Sequence, residues 1–209
     1  MKVLSFIETR NLLKKYNITV RGTELFTEEK EALIYAKKIG FPVVLKVSGE
    51  KIIHSTEQNA VIVNIKDEKE FKEVFNALDK KFKDKEGILV QKQFKGKELV
   101  IGLNYDQTFG PVIMVGLGGI FVEVLNDVSF RVCPIDKKDA LSMLEELKGF
   151  KTLLDFRGSK EVDLEKLIEL LLNLSNLIIK EEDVHSLDFN PVFVSDTEIN
   201  IADLLIIKK

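Results

Sequence analysis

The sequence predicts an α+β protein with two lobes, and three observations carry that prediction. Strand-like and helix-like segments alternate only in the first half of the chain. Four or five strand candidates then follow one another without a helix between them. Two helices and two closing strands end the chain. A regularly wound parallel sheet would alternate strand and helix throughout. The smaller lobe is expected at about 42–87. The remainder forms a larger antiparallel sheet with helices, and the whole of 1–209 makes one domain unit.

Each element has a local reason. Leu4, Ile7, Leu12 and Leu13 give an amphipathic first helix ending near Tyr16 and Asn17. Ile18 to Phe26 reads as extended. Thr27 can cap the next helix, with Lys30 at the third position; Ala32, Leu33, Ala36 and Ile39 form its apolar face, and Gly40 stops it. Val43 to Val47 and Ala60 to Ile65 are strands around a turn-rich stretch from Ser48 to Asn59. Asp67 to Lys85 is helical, with Phe71, Val74, Phe75, Leu78 and Phe82 on one side. Strands are then expected at Ile88–Gln93, Lys97–Tyr105, Pro111–Val115, Ile120–Asn126 and Val128–Pro134, with glycines in their turns. Helices at Lys137–Lys148 and Val162–Ile179 precede strands at Ser186–Val194 and Ile199–Ile207.

Composition excludes several classes. The 209 residues are 45% hydrophobic and 31% charged, which is a globular balance. A net charge of -3, with acids and lysines interspersed, gives no basic stripe for nucleic acid. No stretch approaches the ~20 apolar residues of a membrane span. Met1 to Arg10 lacks the pattern of a signal peptide. One cysteine, Cys133, permits no intrachain disulfide and fits a reducing compartment. The expectation is a soluble cytoplasmic protein.

Four features bear chemistry. Lys46 lies inside an apolar strand, where its amine needs solvent or a partner such as phosphate. An exposed strand face is the ordinary alternative. Asp188 and Asn190 share one strand face, and a hairpin through Asp196 would bring Asp203 beside them. Converging carboxylate and amide oxygens suit magnesium, though an Asx-turn and a salt-bridged Asp203 fit equally. Gly116, Gly118 and Gly119 would let backbone amides approach an anion, though a glycine run is also common in a hairpin that binds no ligand. His54 lies in the turn-rich stretch, where a neutral imidazole could carry a phosphoryl group or simply face solvent.

A resemblance links these features. Val43-Val44-Leu45-Lys46, His54, Val61 to Ile65, Leu89 to Gln93 and Glu98 to Gly102 resemble, in order, the ATP-grasp subunit of ADP-forming acyl-CoA synthetases. Phe109 to Leu125, continuing through Asp127-Val128-Ser129-Phe130-Arg131, is its most specific stretch, and Leu187 to Val192 closes it. The resemblance implies an ATP-grasp fold with the nucleotide site between two lobes. It implies conversion of acyl-CoA, ADP and phosphate to acid, CoA and ATP by way of phosphohistidine. His54 would be the second phosphoryl carrier, and Asp188 the acid that receives and orients the phosphohistidine. Asn190 and Asp203 would hold Mg2+, Lys46 the nucleotide phosphates, and Gln91, Lys92, Gln93 and Phe94 the adenine, with Glu98 on the ribose side and Gly118 and Gly119 in the nucleotide site. The implied partner is a CoA-binding alpha subunit carrying a phosphohistidine, in a heterotetramer with two of each subunit. Neither the acid used nor a preference for ADP over GDP follows.

The pattern is altered in one loop. Ser55 stands where the family usually has lysine, and Asn59-Ala60 where it has a glycine pair. Tyr105 to Thr108 also depart from the usual Arg-Asp-Pro-Gln. The altered loop motivates one other reading, a non-catalytic nucleotide-binding scaffold or sensor; a stand-alone ATP-grasp ligase of different chemistry is a second alternative.

Overall fold

In the computed structural model of the chain, the structure describes residues 1–49, 59–119, 126–154 and 161–209. The chain divides into two compact units. One holds residues 5–8 and 21–93; the other holds 1–4, 9–20 and 94–209. The smaller unit therefore takes in a strand and a helix that precede the expected 42–87 span.

In the smaller unit, β2 (Thr23–Phe26), β5 (Gly87–Lys92), β3 (Val43–Ser48) and β4 (Val61–Ile65) form an antiparallel sheet in that spatial order. Residues alternate between the faces of a strand. Val43, Leu45 and Val47 are buried in one core with helices α2 (Glu29–Ile39) and α3 (Glu68–Lys81). Lys46 therefore points to the face opposite these helices. The periodicity of α3 holds: Phe71, Phe75 and Leu78 are buried, and Phe71 stacks on Phe75 with centroids 6.0 Å apart. Asp67 caps α3, accepting from the Glu70 N–H at 2.9 Å. Phe71→Ala is expected to cost about 3–5 kcal/mol, measured by urea unfolding, because a fully buried ring leaves a cavity.

Two starts differ from expectation. The cap of α2 is Glu28, which makes no side-chain cap bond, and Thr27 lies one residue outside. Helix α1 (Phe6–Lys15) begins after a reciprocal pair: the Ser5 N–H donates to Glu8 at 2.9 Å, and the Glu8 N–H donates to Ser5 Oγ at 3.2 Å. That Ser-x-x-Glu spacing is a capping box. Its apolar face runs through Phe6, Leu12 and Leu13, while Ile7 is exposed.

The larger unit is built on a sheet in the order β1 (Lys2–Val3), β11 (Leu205–Lys208), β9 (Val184–Val194), β6 (Lys97–Asp106), β7 (Gly110–Leu117), β8 (Val128–Val132), with β10 (Ile199–Ile201) also on β9. Ile101, Leu103, Ile113, Val115, Leu187 and Phe189 are buried on one face. Helices α4 (Lys137–Glu145) and α5 (Leu164–Lys180) pack together on this unit; α4 meets β8 and α5 meets β7. The α5 stripe of Leu167, Leu171, Leu174 and Ile178 is buried at helical spacing. The strand expected at Ile120–Asn126 falls almost wholly outside the described residues. The final strand expected at Ile199–Ile207 is two strands, broken at Ala202-Asp203-Leu204. No helix among the described residues is long and apolar enough to cross a membrane.

Candidate nucleotide and phosphoryl-transfer site

The break in the last strand lies opposite a second irregularity. Between β6 and β9, Leu99 pairs with Val192 but Ile101 pairs with Phe189, so β9 carries an extra residue there. This β-bulge falls at Asn190-Pro191, and bulges re-aim side chains. The alternation shifts across it: Leu187 and Phe189 are buried before it, Val192 and Val194 after it. Asp188 and Asn190 are left exposed.

On the other edge of β9, Ile201 pairs with Val192 and Leu205 with Asp188. The register is unchanged between those pairs, so Asp203 lies across from Asn190. The Ala202 N–H donates to the Pro191 carbonyl at 3.0 Å. The hairpin thus gathers Asp188, Asn190 and Asp203. Although part of its surface still meets solvent, Asp188 titrates above the ordinary carboxylate value, first because the surrounding protein displaces some of its water and second because Asp203 is negative. Its row runs across the sheet through Gly102, Met114 and Phe130. Gly102 has no side chain and Met114 and Phe130 are apolar, so that flank offers the charge nothing. Among the described residues, no three His, Cys, Asp or Glu side chains form a metal-binding group. The oxygen set is two carboxylates and one amide. Hard oxygen donors with like charges side by side fit a divalent cation.

Glu98, Gly118 and Gly119 also come together. The Gly118 N–H donates to the Glu98 carbonyl at 2.7 Å. A Cβ on Gly118 would stand 2.8 Å from the Glu98 Cβ, so only glycine fits. Gly119 has φ 64°, in the left-handed region, and its Cβ position is 3.7 Å from Glu98 Oε2. Phe94 is buried against Phe193, with centroids 6.3 Å apart.

In the smaller unit, Lys46 pairs with Leu89 on one side and Val61 on the other. Gln91 and Lys92 close β5, and Gln93 follows just beyond it. The Gln91 side chain donates to Thr23 Oγ1 at 2.8 Å, the Lys92 N–H to Gly22 O at 2.8 Å, and the Gln93 N–H to Pro42 O at 3.3 Å. The amides of Lys92 and Gln93 are thus committed. Gln93 and Phe94 fall in different units.

His54 and Ser55 lie outside the described residues. The segments flanking them are anchored. The Glu86 N–H donates to Ser48 O at 2.7 Å, and Ser48 Oγ donates to Glu86 at 3.0 Å. The Val47 N–H donates to Ala60 O at 2.9 Å. Asn59 has φ 52°, so at the position of the family's first glycine the backbone is left-handed, a conformation asparagine tolerates.

Among the described residues, two charged residues of the specific stretch carry no role in the resemblance. Asp127 is buried and bonded to backbone amides. Arg131 donates to Ser142 at 3.0 Å and to both oxygens of Glu146, which also accepts from Ser129 at 2.6 Å. Arg131, and secondly Ser129, hold the Glu146 carboxyl down at about 2. A depressed acid stabilises the fold above its unfolded value of ~4.3 and loses that contribution as pH falls toward 2. Arg131→Gln is therefore expected to flatten the fall in stability between pH ~4.3 and ~2, followed by urea unfolding across that range.

Comparison with known proteins sets this geometry in a family. An ATP-grasp domain matches residues 1–207, and the chain belongs to the ATP-grasp family. Within it, several relatives are ADP-forming acetate–CoA ligases, and another is an ADP-forming 4-hydroxybutyrate–CoA ligase from Nitrosopumilus maritimus, 40% identical over 196 residues, covering 90% of this chain and 28% of that protein. The beta subunit of ligase I from Pyrococcus furiosus is 36% identical over 203 residues, covering 94% of this chain and 88% of that protein. Ligase II from Archaeoglobus fulgidus is 42% identical over 201 residues, covering 96% of this chain and 29% of that protein. The chain thus spans nearly all of one relative and under a third of the other two. Solved structures of dinucleotide-forming acetyl-coenzyme A synthetase 1 from Ca. Korarchaeum cryptofilum match over 100% of this chain. One, with coenzyme A, Ca-AMPCP and HgCl+, has TM-score 0.91 at 37% identity and is 94% covered. Another, with coenzyme A and Mg-AMPPCP and a phosphohistidine segment pointing towards the nucleotide site, has TM-score 0.86 at 35% identity and is 93% covered.

Proposed function

We propose that this chain is the nucleotide-binding part of an ADP-forming acyl-CoA synthetase, working with a CoA-binding partner that carries a phosphohistidine. The observation that carries the reading is the gathering of Asp188, Asn190 and Asp203 at the β9 bulge, in a chain that covers most of a ligase beta subunit. The assembly interconverts acyl-CoA, ADP and phosphate with acid, CoA and ATP. A heterotetramer with two of each subunit is the arrangement proposed.

The roles follow from the chemistry of the side chains. Asp188 receives and orients the incoming imidazole, holding its N–H so that the phosphorylated nitrogen faces the acceptor. His54 accepts the phosphoryl group and delivers it to ADP. Lys46 neutralises the nucleotide phosphates. The carbonyls of Gln91 to Phe94 serve the adenine amino group, since the Lys92 and Gln93 amides are already bonded. Glu98 takes the ribose hydroxyls, and Gly118 and Gly119 keep the backbone beside it open. Asn190 and Asp203 would hold magnesium, which supplies charge neutralisation of the phosphates. Transfer of this kind depends mainly on positioning and electrostatics.

Binding of ADP with magnesium to the chain tests the site. Asn190→Ala and Asp203→Ala are expected to weaken magnesium-dependent ADP binding about tenfold or more, a loss of ~1.4 kcal/mol or greater. Unchanged affinity in both variants would sink the metal assignment. The scaffold reading is separated by turnover: it predicts binding with no phosphoryl transfer in the presence of the partner.

A further inference from the structure

Asp127 is 2% exposed, and a buried carboxylate needs donors. Its Oδ1 accepts from the Lys148 N–H at 2.7 Å and its Oδ2 from the Gly149 N–H at 2.9 Å, just beyond α4. Its main-chain carbonyl accepts from the Leu117 N–H at 3.2 Å. The next residue, Gly118, is bonded to Glu98. One residue therefore ties the end of α4 to the base of the glycine turn. The approach is tight from the other side as well. A Cβ on Gly149 would stand 2.2 Å from Leu117 Cδ1 and 3.3 Å from Asp127 Oδ2. The near end of α4 is fastened to β8 by Arg131, through Ser142 and Glu146.

We propose that Asp127 is a positioning residue for the nucleotide site: it fixes the Leu117–Gly119 turn against Glu98, and so sets nucleotide affinity without touching the nucleotide. The inference rests on the assignment of Glu98, Gly118 and Gly119 to that site. Two charge-assisted bonds to main-chain amides hold a turn more firmly than neutral ones. Loss of the charge frees Lys148 and Gly149 to move, and Leu117 moves with them.

The test is calorimetric titration of the full chain with ADP and magnesium. Asp127→Asn is expected to weaken binding about tenfold, whereas Leu171→Ala, in the core of α5, lowers the melting temperature but leaves affinity within about twofold. A folded Asp127→Asn chain that binds within twofold of wild type overturns the inference. Should Asp127→Asn not fold, Gly149→Ala decides. It is expected to weaken binding by pushing Leu117, and adding Leu117→Ala is expected to restore it. No loss in the single variant, or no recovery in the double, overturns the proposal. Wild-type chain that binds no ADP takes down the site assignment as well; normal wild-type binding with indifferent variants takes down this inference alone.

Discussion

Asp188→Asn is expected to abolish ATP synthesis by the assembled enzyme and, at the same time, to make the chain more stable. The loss of rate should be about 10³-fold or more, as when a carboxylate that orients a catalytic histidine becomes an amide. The gain in stability follows from the site itself. Asp188 titrates above its ordinary value because it is partly desolvated and faces Asp203. An acid raised in this way binds more protons folded than unfolded, so it costs stability as pH rises through that window. Asparagine removes the charge and the cost. The variant should melt above wild type at pH 7 in magnesium-free buffer, and the gap should close as pH falls toward ~4. A variant that is less stable at pH 7 would show that Asp188 supports the fold rather than straining it.

His54→Ala is expected to lower phosphoryl transfer on the order of 10³-fold, because in the proposal it is the one side chain of this chain that takes the group covalently from the partner's phosphohistidine. Binding of ADP with magnesium should be unaffected. The measurement that separates carrier from bystander is single-turnover transfer from phosphorylated partner to ADP. Equal rates in wild type and variant would make His54 an ordinary loop residue. Equal rates would also bring the phosphohistidine of the partner directly to the nucleotide. The altered loop makes this test informative. Asn59 keeps the left-handed backbone expected of a glycine, whereas Ser55 does not replace the lost lysine charge.

Particular residues explain what could be read in the sequence. Phe71, Phe75 and Leu78 announced α3 because their spacing matches a buried helical stripe. The Asp188, Asn190 and Asp203 grouping was legible because alternation and one hairpin suffice to predict it. The bulge was not. Proline inside a strand signals a bulge or an edge, and Asn190-Pro191 carried that signal, but the extra residue shows only in the pairing with β6. The strand break at Ala202 to Leu204 was hidden by the apolar run around Asp203. The capping box of α1 is written in Ser5 and Glu8, and apolar spacing alone does not show it. Asp127 could not be read at all, since its two partners lie 21 and 22 residues away in the chain. The contact between Glu98 and the glycine turn likewise exists only through the β6–β7 register.

The central claim is phosphoryl transfer to nucleotide through this chain. The most direct measurement mixes the purified chain with its CoA-binding partner, acetyl-CoA or a panel of other acyl-CoAs, phosphate, ADP and magnesium, and follows ATP. ATP formed only when both subunits are present, and lost with Asp188→Asn, is the predicted result. No ATP from any acyl-CoA, with ADP binding intact, would contradict it.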